Sequence, residues 1–106
     1  MAIIDLEKAE YKEVFPGFKG KFVHSDNVTF AFWDVKAGST LPRHSHVHEQ
    51  IAKVIEGEFE LTIEEKTYSL TQGKVAVIPS NVEHSGKAVT DCKIIDTFYP
   101  IREDYM

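Results

Sequence analysis

Residues 38–57, GSTLPRHSHVHEQIAKVIEG, decide how the rest of the chain is read. His44, His46 and His48 stand at alternate positions there, followed at once by Glu49 and Gln50. A further histidine, His84, closes residues 73–84, GKVAVIPSNVEH. Imidazoles spaced this way beside an amide or carboxylate predict a divalent metal site. Alternate side chains of a strand share a face, so His44, His46 and Gln50 fall on one side if extended geometry runs through the segment. Inward polar groups are costly unless paired. One ion satisfies two imidazoles and an amide oxygen together, and His84 completes a ligand set with open positions left for water or substrate.

Glu49 is the better donor by charge, but period two aims it at the opposite face. Gln50 has the parity, and being neutral it leaves the ion its full positive charge. His48 shares the parity and is placed beside the ligands, in the pocket, because so many ligands from one strand would splay apart. His24 reads as an ordinary strand residue.

The length of 106 residues predicts one domain, with a core over about residues 21–100 and an N-terminal arm over 1–20. The hydrophobic fraction of 42% is ordinary for a globular chain. A formal charge of -5 argues against a nucleic-acid partner, which asks for a basic face. It leaves room for a small anionic ligand, because a metal and one arginine can set the field of a pocket. The single cysteine, Cys92, lies in an apolar run and reads as buried filler in a reducing compartment. No apolar run approaches a membrane span, and the N-terminus meets charge at Asp5, so the expectation is a soluble cytoplasmic protein.

Short strands account for most of the chain. Residues 28–35, VTFAFWDV, are β-branched and aromatic, with Phe30 and Phe32 alternating with Ala31 and Trp33. Phe59, Leu61 and Ile63 alternate with charged or polar neighbours, which marks a half-buried strand. Residues 75–78 form an apolar run ended by Pro79, and residues 92–99 form the last strand. Turn signals recur between them, and no segment after Lys21 makes a convincing helix. The fold class is all-β, a two-sheet roll or small barrel.

The two segments resemble the paired motifs of the cupin superfamily. Gly38, His44-Ser45-His46 and Gly57 match its first motif, with Gln50 in place of the usual Glu. Gly73, Pro79 and His84 match the second, with Asn81 where Gly is usual and Ala88 where Asn is usual. The resemblance implies a cupin-type double-stranded β-helix, or jelly-roll barrel. It implies one divalent transition metal ion (nickel, zinc, iron or manganese) held by His44, His46, Gln50 and His84. Small cupins commonly pair through their sheets, so a homodimer is expected, with Ala2-Ile3-Ile4 and an exposed edge as the contact.

HSHVHEQ, IPSNVEH and the tail DTFYPIREDY look like the single-cupin enzymes of pectin and alginate breakdown, which convert cyclic 4,5-unsaturated uronates to the linear keto acid. That likeness implies catalytic roles for Asp96, Phe98 and Arg102, with Arg102, Phe98 and His48 at the substrate. The residues themselves are compatible. Asp96 and Phe98 share a face of the last strand, where an inward carboxylate is costly, and Arg102 suits a bidentate grip on a carboxylate. A salt bridge from Arg102 to Glu103 or Asp104 is the competing reading, and Tyr105 has no assigned place. The other functions open to this ligand set are a dioxygenase or another isomerase, and a non-catalytic sugar- or effector-binding cupin.

Overall fold

The computed structural model describes residues 1–106, and they build ten strands. These are β1 (Lys12–Phe15), β2 (Phe18–His24), β3 (Thr29–Val35), β4 (Thr40–His44), β5 (Glu49–Glu56), β6 (Phe59–Ile63), β7 (Lys66–Leu70), β8 (Val75–Ile78), β9 (His84–Ala88) and β10 (Cys92–Tyr99). A six-stranded sheet runs β1-β2-β3-β10-β5-β8, and a four-stranded sheet runs β4-β9-β6-β7. All pairings are antiparallel. The fold is the expected all-β jelly roll, with short 3-10 turns at Leu6–Lys8 and Glu103–Tyr105.

Period-two patterning explains how the sheets close on each other. In β3 the inward residues are Thr29, Ala31, Trp33 and Val35; in β10 they are Cys92, Ile94, Asp96 and Phe98. Gln50, Ala52 and Val54 are the buried set of β5. Phe59 and Leu61 from the smaller sheet meet these rows, and burial of this apolar surface drives the assembly.

Two expectations need correction. Residues 1–20 are not simply an arm: β1 and the start of β2 form a hairpin across Pro16-Gly17, and Phe18 is buried in the core. Their short, irregular pattern hid the edge strand β1, whose register against β2 shifts between Glu13 and Phe15. Extended geometry also stops at His44, and residues 45–48 lie outside any strand, with a bend at Val47 and His48 before β5 begins at Glu49. His46 therefore reaches its place through loop geometry, not through strand alternation.

One departure from the cupin pattern and one glycine that keeps to it have local explanations. Asn81, where Gly is usual, adopts φ 64°, a left-handed conformation that Asn tolerates better than other side chains bearing a Cβ. Gly57 keeps its glycine for cause: at φ 90° an added Cβ would sit 2.2 Å from the Asp91 carbonyl oxygen.

Candidate metal centre and adjoining pocket

His44 ends β4, His84 begins β9, and the two are direct cross-strand partners. The bend after His44 is pinned from the other side. The Asn81 N–H donates to the His46 carbonyl at 2.8 Å, and the Ser80 hydroxyl donates to the Val47 carbonyl at 2.6 Å. This turns His46 back over the pair, with ring centroids 5.6 Å from His44 and 4.9 Å from His84. One ring nitrogen from each of the three lies within 4.8 Å of the others, a group that could hold a metal ion.

The second nitrogen of each ring fixes the tautomer. His44 Nδ1 faces the Pro42 carbonyl at 2.7 Å, His46 Nδ1 the His48 carbonyl at 2.9 Å, and His84 Nδ1 the Val82 carbonyl at 2.9 Å. A carbonyl only accepts, so each Nδ1 is the donor and each Nε2 carries a lone pair. His84 Nε2 is buried with no hydrogen-bond partner. His46 Nε2 lies 3.1 Å from Gln50 Oε1, so two acceptors meet, a contact that a shared cation relieves. Ligand atoms about 2.1 Å from one ion and at right angles are about 3.0 Å apart, so the spacing fits. Burial, then the Arg102 charge, pulls His46 down to about 4, and burial also lowers His84. Both favour the neutral imidazole that binds metal.

Of the other sequence-singled residues, Glu49 is exposed, whereas Gln50 is buried and lines the cavity with the histidines. The cavity volume is about 50 Å³. A single water needs roughly 10–15 Å³, so there is room for an ion and a few waters. Asp96, Phe98, Arg102 and Tyr105 line the same cavity. His48 lies beside it, with its ring 5.5 Å from His46 and 6.4 Å from Phe98, and burial followed by the Arg102 charge lowers its pKa.

Asp96 stands opposite Ala31 on one neighbouring strand and Ala52 on the other, so no large side chain of either partner covers its carboxyl. The Trp33 indole N–H donates to Asp96 Oδ2 at 3.0 Å, while Oδ1 is buried without a partner. Burial pushes the carboxyl up to about 7, with the Gln50 amide, the Trp33 indole and Arg102 opposing. The Gln50 amide is near enough to pull on Asp96 but is not in hydrogen-bond geometry with Oδ1.

The family is settled by residues 31–98, which match the cupin domain. This chain belongs to the cupin family. Among its relatives is a pectin degradation protein, KdgF, of Dickeya dadantii, 29% identical over 94% of each chain. The solved structure of KdgF from Halomonas sp. superposes with a TM-score of 0.94 at 27% identity, covering 100% of this chain and 99% of that one. An RmlC-like cupin from Shewanella frigidimarina superposes with a TM-score of 0.89 at 29% identity, covering 94% and 91%.

In this cupin the tail after β10 folds back so that Arg102 and Tyr105 line the pocket. Arg102 is buried, its guanidinium 4.7 Å from the Phe98 ring centroid and 4.2 Å from that of Tyr105. Its Nε and Nη2 donate to Asp104 Oδ1 and Oδ2 at 2.9 and 2.7 Å. Arg102 is thus both in a salt bridge with Asp104 and part of the cavity lining. Its backbone N–H is anchored on the buried Thr29 hydroxyl at 2.8 Å. Trp33, Tyr105 and Thr29 were not picked out from sequence as site residues. The one available signal was the inward parity of Trp33 in FAFWD, which gives a face but no partner.

Proposed function

We propose that this cupin is a metal-dependent enzyme that converts cyclic 4,5-unsaturated uronates to the linear keto acid. The observation that carries the reading is Asp96: a buried carboxyl with one unpartnered oxygen, in the same cavity as His44, His46 and His84 and beside Arg102. Likeness to pectin degradation proteins supports the choice of substrate class.

His44, His46, His84 and Gln50 would hold one divalent transition metal ion (nickel, zinc, iron or manganese), the Gln50 oxygen joining three imidazole nitrogens in an all-neutral set. When bound, the ion supplies Lewis-acid polarisation of the substrate's oxygens. Asp96 takes the proton of the anomeric hydroxyl as the ring C–O bond breaks, so the anomeric carbon becomes an aldehyde and the ring oxygen leaves as an enolate. The same carboxyl returns that proton to the alkene carbon C4, and the enolate becomes a ketone. One proton moves from oxygen to carbon, and nothing else is consumed. Arg102 holds the substrate carboxylate or a hydroxyl, sharing or replacing Asp104. Phe98 packs on the sugar ring, and His48 contacts the substrate at the pocket's side.

The test follows the 4,5-double-bond absorbance with purified, metal-loaded protein. Loss well above the buffer rate is expected, and loss no faster than buffer overturns the assignment.

The working form is a cytoplasmic homodimer. On the outer face of the larger sheet, Val77, Ile51, Thr97 and Phe30 form one cross-strand row, and Val75, Lys53, Ile95 and Phe32 form the next. Phe30, Ile51, Val75 and Val77 are exposed, as are Ile3 and Ile4. A largely apolar face of this kind, broken by Thr97 and Lys53, suits an interface, and the same face of a second copy about a two-fold axis covers it by aligned sheet packing. A monomeric mass at micromolar concentration would count against it.

A further inference from the structure

We propose that Trp33 is a positioning residue for Asp96: its indole N–H holds Oδ2 and thereby leaves Oδ1 as the oxygen that exchanges protons with substrate. The kinetic consequence rests on the proposed uronate chemistry, whereas the contact itself does not.

The backbone gives Asp96 no side-chain support of its own. Its two cross-strand neighbours, Ala31 and Ala52, are buried and too short to reach the carboxyl. Trp33 pairs with Ile94, one inward position along β10, and its indole spans that step to reach Oδ2. This is the one hydrogen bond the carboxyl makes. A carboxyl free to turn between two alanines would spread its proton-accepting oxygen over several orientations, and misplacement of a catalytic group by about 1 Å can cost roughly 100-fold in rate.

The indole is itself held fast. Phe18, Phe22 and Tyr105 all meet it nearly edge-on, at centroid distances of 6.2, 5.4 and 5.9 Å. Gly20 lies opposite Trp33 in β2, where an added Cβ would fall 2.9 Å from the indole Cζ3 and 2.6 Å from the Phe22 ring. A glycine there lets the indole lie against the β2 backbone. Tyr105 also stacks under Arg102, so the same ring braces Arg102 and the indole that holds Asp96. A buried indole N–H needs an acceptor, and an amide or backbone carbonyl would serve without burying an ionisable group. The acceptor here is a carboxyl whose second oxygen has no partner, which is what orienting that oxygen for use would require.

The experiment compares Trp33→Phe with the unaltered full-length protein, both metal-loaded. An aromatic ring is kept, while the N–H and the volume of the second ring are lost, so metal content and KM serve as controls for repacking around the smaller ring. The expected result is an unchanged metal content, KM within about twofold, and kcat lower by roughly tenfold or more. A kcat within about twofold of the unaltered protein overturns the proposal, as does a fall that comes with metal loss or an equal rise in KM. A second measurement needs neither turnover nor that variant to fold. Trp33 is the only tryptophan, so the protein gives a single indole N–H signal in ¹⁵N NMR. That signal should be protected from exchange in the unaltered protein and in Asp96→Asn, which keeps an acceptor, and should shift and exchange faster in Asp96→Ala. An indole signal indifferent to Asp96→Ala overturns the contact. If the unaltered protein leaves unsaturated uronates untouched, the proposed function falls while the NMR comparison still decides the Trp33–Asp96 link.

Discussion

His44 and His84 face each other directly across β4 and β9, with ring centroids 4.3 Å apart and His84 almost fully buried. Two strands distant in sequence thus deliver an imidazole each to one point, at the end of one strand and the start of the other.

Removing His84 should therefore abolish metal retention without dissolving the fold. Loss of groups that merely support a metal ligand costs about 10–100-fold in affinity, and loss of a ligand itself should exceed that. His84→Ala is expected to emerge from dialysis with less than about a tenth of the metal held by the unaltered protein. Elemental analysis per chain checks this, alongside a far-UV spectrum that should still report strand.

Asp96→Asn should separate metal binding from chemistry. The amide keeps an acceptor for Trp33 but cannot carry the proton. A drop in kcat of about 10²–10⁴-fold is expected, with metal content preserved. Steady-state kinetics on unsaturated uronates provide the check.

The same variant makes a prediction about stability of the metal-free protein with pH. Asp96 is raised from its ordinary 3.8 to about 7, so its share of stability is complete below 3.8 and is lost as pH rises toward 7. His46 runs the other way: lowered from 6.5 to about 4, it contributes fully above 6.5 and loses its share as pH falls toward 4. The two oppose each other across this window. Asp96→Asn removes the first, so its melting temperature relative to the unaltered protein should climb as pH rises from about 4 to 7. Thermal melts in a buffer series would contradict this if the difference stayed flat.

Arg102→Lys keeps the charge but loses the planar fork that meets Asp104 and stacks between Phe98 and Tyr105. A charged hydrogen bond lost at a binding site costs about 1.5–3 kcal/mol, so KM should rise by about 10–100-fold. Metal content should not change.

Asn81→Gly and Asn81→Ala should differ in sign or size. At φ 64° glycine is unstrained, whereas alanine takes the left-handed penalty of about 1–2 kcal/mol. Asn81 also holds the loop of His46 by its backbone N–H, which both variants keep. Chemical denaturation should therefore place Asn81→Gly near the unaltered protein and Asn81→Ala about 1 kcal/mol or more below it.

Much of this architecture was legible in the sequence because strand periodicity is local. The alternation in β10 placed Asp96 and Phe98 inward, and that in β5 put Gln50 inside and Glu49 outside. Parity failed at His46, since it presumes continuous extension and residues 45–48 lie outside any strand. It also missed the β1–β2 hairpin, whose irregular register leaves no clean pattern. Trp33 lay beyond reach for a different reason. A face can be counted off one strand, but its hydrogen bond to Asp96 depends on the register between β3 and β10, which only the folded sheet sets.

The backbone carbonyls behind the three histidines carry a last consequence. Each Nδ1 is held by a carbonyl two residues away in its own segment: Pro42 for His44, His48 for His46 and Val82 for His84. Ring rotation is thus restricted as the chain folds, and an ion arriving at this group would meet lone pairs that are already aimed. The ordering cost falls on folding instead of on metal uptake. A group aimed in this way would not by itself choose among divalent ions, so occupancy in a cell would follow the relative supply and intrinsic affinity of the competing ions.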